Sequence, residues 1–572
     1  MSHNRVARLP FLLSVVTFLV LPVLADAQTV TRGPYLQMAT PNSIIVKWRT
    51  DVATDSAVGY AQTSGTPASV TDGTSTTEHE VTLTSLSPDT LYNYTIGTTG
   101  GVLAGGDLNS NGDGEHFFTT PPVTGTDKAT RVWVIGDSGT ALEPANVGKA
   151  AAVRDAYKNF TGSRGTDVWL MLGDNAYSSG TDAQYQAAVF DIYPQLLRQN
   201  PLWSAIGNHD GFDVFFNPPG AYPTIFSFPT AGEAGGPASG SEFFYSFDHG
   251  NVHIISLDSA LAFGNREPGS PMLTWLAADL AATTQDWIIA AWHHPEYSKG
   301  SHDSDTEIVL QEMRENVLPM LEAGGVDLVL TGHSHSYERS MLVDGHYGLS
   351  TTLTPAMLLD DGDGNPSGDG AYIKPGPAGT PNEGAVHVVV GSSGKTEAGG
   401  SLDHPVMVTS QLTLGSLVLD VLGNRLNGTF IDSTGAVQDE FTILKALKTI
   451  DIDVDPWNDP NIILPESNTA IPVAIQGMSI AAGDAVDFDA TLVDAATVKL
   501  GTGNASNQAA PWIVDIDGDA ETDVVLGYWT QDTGIFCNDT DVSLVGETST
   551  GETFMGTDSI DASDCVGTGC HP

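Results

Sequence analysis

Within residues 128–445, five short apolar runs each stop at a turn that carries Asp, Asn or His. The run from Arg131 ends in Gly136-Asp137-Ser138-Gly139, and the run from Asp167 ends in Gly173-Asp174-Asn175-Ala176-Tyr177. The run from Leu202 ends in Gly207-Asn208-His209-Asp210. The run from Trp287 ends in Trp292-His293-His294-Pro295, and the run from Val326 ends in Gly332-His333-Ser334-His335. Between them lie helical stretches, Pro144 to Phe160, Asp182 to Gln199, Met272 to Thr283 and Glu307 to Ala323. Short apolar strands alternating with helices define an α/β layered fold. Two successive strands near Phe243 to Asp258, with no helix between them, make the sheet mixed. Functional groups of such sheets collect beyond the carboxyl ends of the strands. Eleven of the 15 histidines lie in this region. One Asp or His at a turn is ordinarily a satisfied turn residue. Five strand ends that all carry such groups point instead to one shared site.

The donor types say what the site holds. Carboxylate, imidazole, amide oxygen and phenol together suit hard-to-borderline metal ions. They are too many for one ion. A carboxylate bridges two ions through its two oxygens, which makes a two-metal site the natural arrangement. A phenolate donor favours a hard trivalent ion such as ferric iron. The three cysteines, Cys537, Cys565 and Cys570, lie outside this region, which argues against thiol catalysis. With 22 basic against 70 acidic residues the chain has a net charge of −48. That charge argues against nucleic acid or an anionic membrane surface as the main partner. An anionic substrate would then need metal ions to supply the missing positive charge.

The series GDSG, GDNAY, GNHD, HHP and GHSHSYER resembles the purple acid phosphatases within the calcineurin-like metallophosphoesterases. The order matches, and the diagnostic tyrosine stands three residues after the second Asp. The resemblance covers about residues 28–445. It implies that Asp137, Asp174, Tyr177 and His335 hold Fe(III), and that Asp174, Asn208, His293 and His333 hold a divalent ion (Fe, Zn or Mn). Many relatives in the wider superfamily use Asp-x-His at the first turn; here that position is Gly139, and Tyr177 fills the vacancy. His293 and His294 compete for one role, and the family pattern His-x-Pro selects His293. His209 and His302 match positions that face the phosphate without holding metal, so they are the candidate catalytic residues. Tyr337-Glu338-Arg339 also matches, either as support of the last turn or as substrate contact. The implied function is a secreted phosphatase that hydrolyses phosphate monoesters by in-line attack of a metal-bound hydroxide. Its nearest alternatives are a phosphodiesterase or nucleotidase of the same superfamily. The rival of another class is a non-enzymatic secreted adhesion or binding protein with structural metals.

The expected architecture is multidomain. Arg5 and Arg8, the apolar run Leu9 to Leu24 and the small-x-small Ala25-Asp26-Ala27 read as a signal peptide over 1–27. The mature protein is then secreted, periplasmic or at the cell surface, without a membrane span. Residues 28–122 read as a fibronectin type III-like β-sandwich, with Trp48 in its core and Leu86 to Tyr94 similar to a tyrosine-corner strand. Residues 128–445 form the metallophosphoesterase domain, expected as an α-β-β-α layering with mixed sheets. Residues 446–572 form an acidic β-rich module. Export permits one disulfide there, with Cys537–Cys565 the expected pair and Cys570 left over. Asp515, Asp517, Asp519 and Asp523 have calcium-loop spacing, while Asp361-x-Asp363 and Asp107-x-Asn109 are weaker cases. A small phosphate ester is the expected partner, and the oligomeric state is left open.

Overall fold

The computed structural model describes Met1 and residues 28–563 apart from 261–265, 446, 466 and 482. The expected signal peptide, Cys565 and Cys570 fall outside the described residues. Cys537 is disulfide-bonded.

The first strands are β1 (Val30–Thr40), β2 (Ser43–Gln62), β3 (Ala68–Leu83), β4 (Leu91–Thr98), β5 (Gly101–Ala104) and β6 (Phe117–Thr119). They register as one six-stranded sheet. The 20-residue β2 serves two neighbours in turn, pairing with β1 over its first half and with β4 over its second. Register slips between Arg49 and Thr54, where the strand passes from one to the other. Trp48 lies in the core of this region and stacks on His79 at 4.7 Å between ring centroids. The Ser87 amide donates to the Tyr92 hydroxyl at 2.9 Å, tying β4 to the turn before it.

The next elements alternate: β7 (Thr130–Ile135), α1 (Lys149–Thr161), β8 (Val168–Met171), α2 (Asp182–Tyr185), α3 (Pro194–Gln199), β9 (Leu202–Ser204), α4 (Asn208–Phe216) and α5 (Tyr222–Ile225). Then come β10 (Tyr245–His249), β11 (Val252–Ser256), α6 (Pro271–Ala282), β12 (Trp287–Ala291), α7 (Ile308–Asn316), α8 (Leu318–Ala323) and β13 (Leu328–Thr331). A run of strands closes the region: β14 (Tyr337–Ser340), β15 (Leu342–Val343), β16 (Leu358–Asp360), β17 (Tyr372–Lys374), β18 (Val386–Val390), β19 (Met407–Gln411), β20 (Gly415–Leu422), β21 (Arg425–Asp432) and β22 (Val437–Lys445). The expected helices are present; α6 keeps its expected length, and the others are shorter or divided. Gly148, in the left-handed region, delays α1. A π-turn over 186–190 and Pro194 divide the Asp182–Gln199 stretch, and a proline in the first turn of α8 separates it from α7.

Two seven-stranded sheets result, ordered β10-β11-β12-β13-β18-β14-β19 and β17-β22-β21-β20-β7-β8-β9. β7, β8 and β9 run parallel, as do β11, β12, β13 and β18. Their near-continuous apolar runs reflect burial on both faces. Ile254, Ile289 and Leu328 share one core with Val134, Leu170 and Leu417 of the other sheet. The alternate residues Ile255, Ile288 and Val329 pack instead with Met272, Leu276, Met313 and Leu321 of the helices. His253 is buried between two carboxylates, with Nδ1 2.7 Å from Asp248 and Nε2 2.9 Å from Asp279 of α6.

β1 lies along β9, the edge of the second sheet, where the Gln37 amide donates to the Leu202 carbonyl at 2.9 Å. The edge is thereby covered. Arg32 and Arg49 both reach Asp182, at 2.9 and 2.7 Å. The last elements are β23 (Lys448–Ile450), β24 (Ile452–Val454), β25 (Ala470–Ile475), β26 (Lys499–Leu500), β27 (Ala505–Ser506), β28 (Trp512–Val514), β29 (Asp523–Trp529), β30 (Asp541–Glu547) and β31 (Thr553–Ser559). They form a five-stranded and a four-stranded sheet over a separate core, and Arg425 of β21 is ion-paired with Glu547 of β30. Among the described residues no helix is long and apolar enough to cross a membrane.

Candidate metal centre

The carboxyl ends of β7, β8 and β9 meet those of β12 and β13 from the other sheet, and the five turns converge. Asp137, Asp174 and His333 take positive φ of 54, 51 and 65°. Such conformations cost energy in non-glycine residues and cluster at functional sites. Two glycines permit the close approach. A Cβ at Gly173 would stand 2.7 Å from Nδ1 of His293. A Cβ at Gly139 would stand 2.4 Å from the Ala176 nitrogen. The loop carrying Tyr177 packs on Gly139 through Tyr177 N–H to the Gly139 carbonyl at 3.0 Å. Position 139 therefore cannot carry a ligand side chain, and the space belongs to the tyrosine loop.

One group of donors gathers around Asp137. The Tyr177 hydroxyl donates to Asp137 Oδ1 at 2.9 Å, and His335 Nε2 lies 3.4 Å from the same oxygen and 3.3 Å from the phenol. The other oxygen of Asp137 accepts the His333 amide at 2.7 Å. A second group gathers around His293, whose Nε2 lies 3.1 Å from Asn208 Oδ1, 3.2 Å from His333 Nδ1 and 3.4 Å from Asp174 Oδ1. Asp174 Oδ1 also accepts the His209 amide in the first turn of α4, at 2.9 Å. The Asp174 carboxylate adjoins both groups, since it faces His293 and its charge acts on Tyr177. All seven residues expected to hold metal are thus brought together, and Asp137, Asp174 and His293 offer ligand atoms within 4.8 Å of one another.

The donor set fits a pair of cations because imidazole nitrogens, carboxylates, an amide oxygen and a phenol turn their ligand atoms towards one another. His293 Nδ1–H donates to the Leu172 carbonyl at 2.8 Å, which leaves Nε2 bare towards Asn208. His335 Nδ1 is held by Glu397 at 2.9 Å, which leaves Nε2 towards Asp137. Histidine ligands are commonly fixed in this way from behind. Without a cation the charges compensate internally. Burial pushes the Asp174 carboxyl up, but the His293 charge and hydrogen bond outweigh it and hold the group far below the usual carboxylate range. Burial pushes the Tyr177 phenol well up, and the Asp137 and Asp174 charges add to that. Burial lowers His333 to about 4, so this ring is neutral near pH 7.

The remaining candidates sit around this pair of groups. His209 is partly exposed, with its Nδ1 2.7 Å from the Ser178 carbonyl and its ring 4.5 Å from Tyr177. His302 stacks on His333 at 3.7 Å between ring centroids. His294 is buried, bonds Ser259 Oγ through Nδ1 at 3.0 Å, and lies beside His333, its ligand atom within 4.8 Å of those of His293 and His333. Glu338 is buried under the last turn, where it accepts from Ser298 and Ser336 at 2.7 and 2.8 Å, while Arg339 grips Asp439. Both are thus occupied in support of the turn.

Three residues here were not singled out from sequence. Glu307 lies 2.8 Å from His302 Nδ1 and 3.6 Å from His333 Nε2. Burial raises its carboxyl, but the two imidazoles outweigh this and hold it well below the usual range. Glu397 backs His335. Asp210 is buried and accepts from the amides of Asn175 and Gly207 and from the Tyr185 hydroxyl, at 3.1, 3.0 and 2.6 Å. Burial, then the Asp174 charge, raises it to about 6. Only Asp210 left a trace, as the last letter of the third turn. Lys395 stands over the Tyr177 ring at 3.8 Å.

In the C-terminal region Asp515, Asp517 and Asp523 come together, and Asp519 does not join them. Their oxygens already accept loop amides: Asp515 that of Gly518 at 2.7 Å and Asp523 that of Ile516 at 2.6 Å.

Comparison with known proteins agrees with this geometry. Residues 130–337 match the family model of the calcineurin-like phosphoesterases, and residues 32–120 match that of the purple acid phosphatase N-terminal domain. "Probable purple acid phosphatase 20" of Arabidopsis thaliana is 28% identical over 340 residues, covering 56% of this chain and 71% of its own length. Human "Acid phosphatase type 7" is 28% identical over 331 residues, covering 52% and 68%. The solved structure of purple acid phosphatase PPD1 from yellow lupin seeds superposes with a TM-score of 0.55 at 18% identity, over 72% of this chain and 75% of that one.

Proposed function

We propose, from the premise that this chain is a purple acid phosphatase-like protein of the calcineurin-like metallophosphoesterase superfamily, that it is an exported binuclear-metal phosphatase acting on small phosphate monoesters. One observation carries the reading: imidazole, carboxylate, amide and phenol groups from five turns of two sheets converge in two adjoining groups. Asp137, Asp174, Tyr177 and His335 would hold Fe(III), and Asp174, Asn208, His293 and His333 a divalent ion, with Asp174 between them. Such a pair, when bound, neutralises phosphate oxygens and lowers the pKa of water from 15.7 to about 7.

The chain's own residues supply the rest. The surrounding −48 charge repels a phosphate ester, so binding depends on local cationic groups. His209 and His302 flank the donor groups from two sides, one over Tyr177 and one over His333. Each is tied through Nδ1, to the Ser178 carbonyl and to Glu307, and Nε2 is the nitrogen that would meet the ester, that of His209 lying 3.9 Å from Asp174 Oδ2. Protonated there, either ring gives a proton to the departing alcohol oxygen. General acid help of this kind contributes about 10²–10⁴-fold. Glu307 keeps the His302 ring in place, and Asp210 locks the third turn to the second.

Three finer parts of the reading stand with it. They are export through the 1–27 segment, an α-β-β-α layering behind a fibronectin type III-like region, and calcium at Asp515, Asp517 and Asp523. Metal analysis of the purified protein together with a panel of phosphate mono- and diesters tests the function. Two ions per chain with monoester turnover is the expected result. A metal-replete protein inert to every ester defeats it and favours the non-enzymatic reading.

A further inference from the structure

The helix that opens with Asn208 and His209 carries three phenylalanines that remain partly exposed. Phe212, Phe215 and Phe216 of α4 are 44, 54 and 67% exposed. Single exposed apolar residues need no explanation, but a contiguous patch does. This one is contiguous with the metal centre. The His209 ring lies 4.5 Å from Tyr177, Phe212 lies 5.9 Å from His209, and Phe216 lies 6.3 Å from Phe212 with the two planes within 8°. Phe215 meets Phe216 edge-on at 4.9 Å. The i, i+4 spacing keeps Phe212 and Phe216 on one side of the helix. An aromatic row therefore starts at the innermost phenol and runs outward past His209.

This inference rests on the phosphatase reading above. If His209 meets the departing oxygen of the ester, whatever that oxygen carries lies outward of His209, where the phenylalanines begin. We propose that Phe212 and Phe216 form the leaving-group subsite, and that the substrates are phosphate monoesters whose alcohol carries a planar aromatic ring. Neither phenylalanine carries a charge or a hydrogen-bond donor, so the shelf does not address the phosphate. Ring-on-ring contact accounts for selectivity by offset or edge-on packing. Such contact acts alike on the bound ester and on the transition state, and so is read mainly in KM.

The test compares 2-naphthyl phosphate with ethyl phosphate on the metal-replete enzyme, wild type against Phe216→Ala, Phe212→Ala and Phe216→Tyr. Phe216 follows Phe212 in the row that leads away from His209 and is the cleaner probe. Wild type is expected to favour the naphthyl ester. Each alanine variant should lower the naphthyl-to-ethyl ratio of kcat/KM, by about tenfold for the pair combined, with the change in KM. Phe216→Tyr should restore the ratio. An equal loss on both esters, or an unchanged ratio, overturns the subsite while leaving the phosphatase reading intact. An unchanged ratio with altered sedimentation assigns the face to protein contact and equally overturns it. A wild type that turns over neither ester defeats the phosphatase reading, and the subsite falls with it.

Discussion

Glu397 holds Nδ1 of His335 at 2.9 Å, while Nε2 of the same ring stands 3.4 Å from Asp137. The carboxylate fixes both the tautomer and the aim of the imidazole. It comes from a loop 62 residues further along the chain. Loss of such a partner commonly costs 10–100-fold in metal affinity. Glu397→Gln is therefore expected to keep the fold but to release metal at a 10–100-fold lower chelator concentration. A release curve that matches wild type would assign Glu397 to the surface.

Asp174 should sit between both ions, because it faces His293 in one donor group and acts on Tyr177 in the other, the place that the family resemblance gives to the bridging carboxylate. Asp174→Ala is expected to lose metal and activity together. Elemental analysis after gel filtration reads the first and p-nitrophenyl phosphate the second. A variant that retained both ions and near-normal turnover would sink the bridge.

Tyr177 donates to Asp137 at 2.9 Å from a phenol that burial and two carboxylates keep protonated. Only a strong Lewis acid displaces that proton, which fits a ferric ion better than a divalent one. The purified protein should show a visible charge-transfer band. Tyr177→Phe should bleach it while some hydrolysis remains. A colourless, iron-free and fully active wild type would mean that another metal pair is native.

His209 and His302 should separate by substrate. His209→Ala and His302→Ala are expected to keep their metals, since neither residue belongs to the two donor groups. They should lose turnover, by up to about 10²–10⁴-fold on alkyl phosphates, whose alcohol needs a proton to leave. The loss on p-nitrophenyl phosphate should be smaller. Equal losses would assign both rings to phosphate binding instead.

The site was legible in the sequence wherever its chemistry is local. Each turn carries its donors within a few residues of a strand end, so residue type marked the five turns as one shared site, and the family resemblance then singled out Asp137, Asp174, Tyr177, Asn208, His293, His333 and His335 within them. Glu307 and Glu397 were not legible, because Glu307 lies in an acidic run of an acidic chain and Glu397 in a Gly- and Ser-rich loop without any motif. Only the convergence of the two sheets brings them behind the ligands. The parallel strands were readable because burial on both faces makes their runs apolar. The β20–β22 meander was not read, since Arg425, Asn427, Asp439 and Glu440 interrupt its apolar pattern while pairing across it. Helix ends moved for local reasons, such as the left-handed Gly148 before α1. The aromatic face of α4 reads as core by composition, and only burial reveals that it is exposed.

A pH-dependent element lies away from the metals. His253 is buried between Asp248 and Asp279, at 2.7 and 2.9 Å. Burial lowers its pKa, but the two carboxylates outweigh this and raise it to about 9. An ordinary histidine titrates near 6.5, so here the folded state binds the proton more tightly than the unfolded one. The stability it contributes is therefore fully present below about pH 6.5 and is lost as pH rises through about 9. The shift corresponds to about 3 kcal/mol. In a domain of this size that is roughly 5–10 °C of melting temperature. Thermal unfolding of wild type and His253→Gln should differ most near pH 6 and should converge by about pH 10. A difference that stayed constant across this range would show that His253 contributes by packing alone, with no proton held between the two carboxylates.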